Sequence, residues 1–144
     1  MKKVDQHWKQ DELIGVDSLL RADGSVVLLD WVSSKMEGKT SVSCFPVCDT
    51  TVESLARYNP DIWTSIQPFT EKVPLGSDRL IEGGEGGMGN EGFLACTDSS
   101  GSFEWALFFT RSNPFHRLQL HGETIVAFSS LDLKFVVDSN VPFQ

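Results

Sequence analysis

Apolar and polar positions alternate with a period of two along most of the chain, most clearly after residue 90. Phe93, Ala95 and Thr97 alternate with Leu94 and Cys96, and Asp98-Ser99-Ser100-Gly101 reads as a turn. Phe103, Trp105, Leu107 and Phe109 then alternate with Glu104, Ala106, Phe108 and Thr110. Period two sends successive side chains to opposite faces of a strand. The second of these strands is apolar on both faces, which predicts a central strand covered on both sides, by a second sheet or a helix. Ser112-Asn113-Pro114 breaks it. Phe115 to Leu120, Thr124 to Phe128 and Leu131 to Val137 follow as an antiparallel meander turning at His121-Gly122-Glu123. Leu131, Leu133, Phe135 and Val137 fall on one of its faces, with Asp132, Lys134 and Asp138 on the other.

Turn chemistry organises the first half. Ala22-Asp23-Gly24 between Leu13–Leu20 and Ser25–Val32 predicts a hairpin, because Gly tolerates positive φ. Gly15 and irregular spacing argue against a helix over residues 5–20, leaving room only for a short helix before residue 11. A second turn at Glu37-Gly38-Lys39 leads into a strand over Thr40 to Phe45. Thr50-Thr51-Val52-Glu53 fits a capping box and predicts a helix through Tyr58, stopped by Asn59-Pro60. Asp61 to Ile66 is expected to add one helical turn with Ile62, Trp63 and Ile66 against the sheet, and Pro68 and Pro74 to bracket an irregular connection. The expected fold is mainly β in one domain over 1–144: an antiparallel sheet or two-sheet sandwich with a C-terminal meander and one or two short helices.

Composition sharpens this picture. At 144 residues with 40% hydrophobic side chains, the chain can bury a core without disulfide or metal staples. Twelve basic against 20 acidic residues give a formal charge of −8, which disfavours nucleic acid and anionic lipid as ligands and favours a basic partner. The two lysines after Met1 are followed by no apolar run of signal-peptide length, and the stretch Trp105–Phe109 is far below membrane-spanning length. Three cysteines suit a reducing compartment, so the expectation is a cytoplasmic protein with no membrane association.

Candidate chemistry is sparse. Gly84-x-Gly86-x-x-Gly89 matches the dinucleotide fingerprint in form, but a strand follows it where the fingerprint needs a helix, and Glu85 and Glu91 oppose phosphate. The glycine-rich stretch 83–92 is instead expected to be a surface loop. Cys44, Cys48, His116 and His121 offer C-x3-C and H-x4-H spacings for a structural zinc, although His116 and His121 point to opposite faces if both lie on a strand. No nucleophile, base and orienting group fall into a local signature, so no catalytic residues, no enzymatic activity and no cofactor are expected. The acids Glu82, Glu85, Glu91, Asp98 and Glu104, with Asp78, stand against Arg79 alone over residues 78–104 and form the candidate docking surface for a basic protein.

Gly86 to Ala95, Phe103 to Phe109 and Ser112-Asn113-Pro114-Phe115 together resemble a pattern found among bacterial immunity proteins of contact-dependent growth inhibition and related polymorphic-toxin systems. The likeness covers about residues 83–128. It implies a small cytoplasmic protein that binds one cognate toxin domain, often a nuclease, and covers its active site or substrate groove. On that reading Glu85, Glu91, Asp98 and Glu104 would pair with toxin Lys and Arg. The alternative is a β-sandwich or barrel module with an apolar pocket for a small ligand, with or without structural zinc.

Overall fold

A computed structural model describes residues 2–140; residues 1 and 141–144 of the expected domain lie outside the described part. In chain order the elements are α1 (Val4–Trp8), β1 (Glu12–Ile14), β2 (Ser18–Arg21), β3 (Ser25–Met36), β4 (Lys39–Thr51), α2 (Val52–Tyr58), β5 (Trp63–Ser65), β6 (Gln67–Pro68), β7 (Val73–Leu75), β8 (Arg79–Glu85), β9 (Gly92–Asp98), β10 (Phe103–Phe109), β11 (Phe115–His121), β12 (Thr124–Ser129) and β13 (Lys134–Asp138). The fold is mainly β, as its alternation predicts, with 56% strand and 9% helix.

One large sheet has the order β11-β12-β13-β4-β3-β2-β10-β9-β8-β6, with β7 also on β8, while β1 and β5 form a separate pair. Its ladders are antiparallel except where β13 meets β4, joined in parallel through Lys134 and Ser41 alone. The sheet is rolled: β11, at one end of the order, packs on β8 near the other. The inside of the roll is filled by Leu19, Trp31, Leu94, Leu107, Phe109, Phe115, Ile125 and Phe135, among others. A second apolar layer lies outside it, where Val4 of α1, Leu13 and Ile14 of β1, Val52 of α2, Ile62 and Ile66 cover the outer side of β2, β9 and β10. The two apolar faces of β10 follow directly: Trp105, Leu107 and Phe109 point into the roll, and Ala106 and Phe108 into the outer layer.

Local chemistry sets the element ends. Thr51 caps α2, its side chain accepting from the Ser54 amide, one residue later than the Thr50–Glu53 box predicts. Asn59 ends α2 ahead of Pro60 as expected. The five residues of α1 are too few to hold alone. They are pinned to the sheet by the Asp5 carboxylate, which accepts the Phe103 amide at 2.9 Å and pairs with Lys9 at 3.0 Å. Those bonds, the Phe103 amide first, hold the Asp5 carboxyl below its ordinary range.

Several expectations are corrected. Leu13–Leu20 is not one strand, because β1 pairs with β5 and only β2 continues into the Ala22–Gly24 hairpin with β3. Asp61–Ile66 is extended, not helical: β1 offers its edge to Trp63–Ser65, and edge pairing outweighs the weak helical tendency of so short a segment. Pro68 and Pro74 sit in the short edge strands β6 and β7, where a missing N–H costs nothing. Phe103 leaves the face of Trp105 because a bulge between them shifts the register and sends it to the outer layer. Leu131 is exposed in the turn before β13, so the inward face of that strand starts at Leu133.

Candidate functional site

The five acids proposed as a docking surface do not share one. In the β8–β9 ladder Arg79 stands opposite Asp98 and Gly84 opposite Phe93. Glu85 and Glu91 therefore lie at one end of the pair and Asp98 at the other, about 20 Å away at some 3.3 Å per residue. Glu91 is buried, and its Oε1 accepts the Met88 amide at 3.0 Å, tying the 86–91 turn to itself. The Asp98 carboxylate is consumed in its own turn, taking the Ser100 hydroxyl at 2.7 Å and the Ser100 and Ser102 amides at 2.9 Å. These bonds, the hydroxyl first, hold it below the usual carboxylate range. Glu104 accepts from the Cys96 thiol at 3.3 Å, and burial together with that carboxylate pushes the thiol up to about 12.

Glu82 is only 7% exposed, on the side of β8 that faces away from the interior of the roll. Burial raises its carboxyl above the ordinary Glu range, Lys72 opposes the shift, and Asp11 adds to it. A raised folded pKa contributes stability that is complete below the unfolded value near 4.5 and lost as pH climbs through the folded value. Glu82→Gln should therefore match the native chain in urea midpoint near pH 4 and exceed it at pH 7. Equal differences at the two pH values would contradict this account.

The metal set is also dispersed. Cys44 packs toward the interior beside Trp31, with burial pushing its thiol up to about 12. Cys48 pairs with Leu28 and is exposed, because the register shift between Leu28 and Leu29 reverses the side to which β4 presents its next residues. His116 lies at a bulge in β11 with Nε2 3.1 Å from the Ser129 carbonyl, and His121 closes the same strand. Three strand spacings, about 14 Å, separate β11 from β4. Among the described residues no group of three His, Cys, Asp or Glu is placed to hold a metal ion. The zinc arrangement is thus not assembled.

The glycine-rich stretch is only in part the surface loop its composition suggests: residues 87–90 form an exposed turn between β8 and β9, while the glycines on either side are packing positions. Gly83 and Gly84 belong to β8 and Gly92 to β9. A Cβ on Gly84 would land on the Gln67 carbonyl oxygen and lie 2.8 Å from Pro68 Cα, where β6 crosses. On Gly86 it would meet Phe108 Cζ at 2.8 Å, and on Gly92 Ser112 Oγ at 2.6 Å. Only around Gly89 is the space open without a positive φ.

Two features escape the sequence reading. His7 stacks on Trp63 at 3.5 Å and 3°, with Nδ1 2.8 Å from Glu12 Oε1, a contact of three segments that no spacing reveals. The second is the long β3–β4 hairpin, whose turn takes positive φ at Glu37 and Gly38. On the side away from β4, β2 pairs with β3 only at Val26–Leu28. The edge beyond is blunted: the Trp31 amide donates to its own neighbour, Asp30 Oδ1, at 2.8 Å, and Arg111 lies 5.0 Å from the Trp31 ring and 3.9 Å from Asp30. Since Leu29 and Trp31 face the interior and Leu28 the outer layer, Asp30 and Val32 face outward with Phe45, which stands opposite Asp30. Val32 is 56% exposed, Phe45 43%, Val47 60% and, on β13, Val136 55%. The outer layer that covers β2, β9 and β10 does not reach them. β-propensity alone marks these residues as strand and is silent on which strands receive a second cover.

No helix among the described residues is long and apolar enough to cross a membrane. Comparison with protein-family models, curated proteins and solved structures gives no match for the chain.

Proposed function

We propose that this chain is an immunity-type inhibitor that binds a basic toxin domain, of the nuclease kind, and masks its active site or substrate groove. The observation that carries the reading is the surplus of uncompensated carboxylates. Of 20 acidic residues, only Asp5, Glu12, Asp30 and Glu53 have a cationic nitrogen within 4.0 Å among the described residues. A field of that sign steers a cationic partner toward the molecule even when the acids are spread over several sides, and its reach shrinks as salt shortens the Debye length. The resemblance over residues 83–128 supports the same reading, although the residues that carry it are largely core and turn.

The small-ligand alternative draws less support, since the roll is filled by aromatic side chains: Phe109, Phe115 and Phe135 pack against one another at centroid distances of 4.8–6.1 Å. The test is to mix the chain with the toxin domain encoded beside it. A one-to-one complex that blocks toxicity and weakens between 50 and 300 mM salt is expected, and absence of any complex at low salt removes the reading.

A further inference from the structure

We infer that a second copy of this chain packs face to face on the outer side of the C-terminal meander, β11, β12 and β13, with the strands of the two copies running in opposite directions. The ladder registers set three rows across the meander. Arg117, Phe128 and Lys134 form the first, Gln119, Val126 and Val136 the second, and His121, Thr124 and Asp138 the third. All three rows lie on the outer side, since the alternate residues Leu118, Leu120, Ile125, Ala127, Phe135 and Val137 pack into the roll. The rows differ in charge. The first carries two cations, with the Arg117 guanidinium 4.0 Å from the centre of the Phe128 ring. The middle row is uncharged. The third carries Asp138, and Glu123, exposed in the turn between β11 and β12, stands at the same end. Among the described residues no side chain of opposite charge lies within 4.0 Å of Arg117, Lys134, Asp138 or Glu123. Asp132, in the turn before β13, tempers the positive end without changing its sign.

The order of the rows selects the occupant. The first and third stand four residues apart, about 13 Å along the strands. A uniformly basic partner would be repelled at one end of this face, and a uniformly acidic one at the other. A surface with the same rows in reverse order meets both ends, and a second copy rotated by half a turn about the middle row presents that surface. Lys134 then faces Asp138 of the second copy, Arg117 faces its Glu123 turn, and Val136 faces Val136. Both copies carry a formal charge of −8. At physiological salt, with a Debye length of about 8 Å, that mutual repulsion is screened more than charge pairs in direct contact are. Apolar area adds to the attraction: Val136 is 55% exposed, and β4, joined to β13 at Lys134–Ser41, continues the face with the exposed Phe45.

The test is sedimentation equilibrium of the full chain at roughly 150 mM salt, over about 5 to 500 μM, the range that a small interface calls for. A monomer–dimer equilibrium is expected. Lys134→Glu and Asp138→Lys each set like charges together at both symmetry-related contacts, and each should weaken the dimer at least about tenfold. Mixing the two variants in equal amounts should restore pairing to within about threefold of the native affinity, because every charged contact across the mixed pair again joins opposite signs. Thermal unfolding checks that both exposed substitutions leave the fold intact. A native chain that stays monomeric throughout overturns the inference, as does a dimer that both variants leave unchanged or that their mixture fails to restore. If the native chain is monomeric and either variant instead weakens capture of the toxin domain encoded beside it, the face belongs to that partner and the second copy is wrong. The sedimentation results leave the inhibitor reading untouched, since that reading stands on complex formation with the toxin domain alone.

Discussion

Replacing Gly84 by alanine is expected to destabilise the fold by about 3 kcal/mol or more, while the same change at Gly89 should shift stability by less than about 0.5 kcal/mol. The two glycines lie five residues apart in one glycine-rich stretch, so composition cannot separate them. Geometry does. At Gly84 the added methyl would strike the Gln67 carbonyl and sit 2.8 Å from Pro68 Cα and 2.9 Å from the Phe69 nitrogen, all of them backbone with no rotamer to escape into. Relief requires β6 to lift off β8, which breaks the Gln67–Glu85 and Pro68–Gly84 pairing. At Gly89 the methyl meets nothing within 4 Å. Urea unfolding of the two variants checks the contrast, and equal midpoints would mean that the glycines serve the turn and not the approach of β6.

Phe135→Ala should cost about 3–5 kcal/mol, the range for removing a fully buried aromatic ring. Phe135 touches Trp31 at 5.4 Å, Phe109 at 4.8 Å and Phe115 at 5.1 Å between ring centroids, so one ring joins side chains from β3, β10, β11 and β13. Its position matters as much as its size. β13 is held to β4 by the Lys134–Ser41 register pair alone, so the attachment of the β11–β13 meander rests mainly on side-chain packing. Loss of the ring should therefore speed amide exchange in β11, β12 and β13 more than in β9 and β10. Uniform acceleration across the sheet would show that the meander is not held this way.

How much of this was legible in the sequence follows from the range of each interaction. Alternation and turn residues placed β9 to β12 because both signals are local: Asp98–Gly101 and Gly122 determine the chain reversals within four residues. The two-sided apolarity of β10 correctly announced a cover on each side. Bulges were invisible. One inserted residue moved Phe103 to the opposite face, and another parted Cys44 from Cys48, so the two zinc half-sites could not be judged from spacing. Extended structure at Trp63–Ser65 depended on β1, some fifty residues earlier, and no local tendency reports such a partner. The acidic run failed as a site for a related reason. Neighbours along β8 and β9 are separated by strand length and faces, and their carboxylates were already engaged, at Glu91 with the Met88 amide and at Asp98 with its own turn.

The single rung between Ser41 and Lys134 joins residues 93 positions apart in a chain of 144. Contacts of such long sequence separation are closed late, because loop-closure entropy must be met before they stabilise anything. The β3–β4 hairpin, by contrast, pairs from Met36–Lys39 outward and can form on its own. During synthesis it would wait, with Phe45 and Val47 bare and its edges unmatched, until the meander arrives from the ribosome. Refolding should accordingly be slow for a chain of this size, on the millisecond-to-second scale of non-local β topologies, and prone to aggregation in that interval.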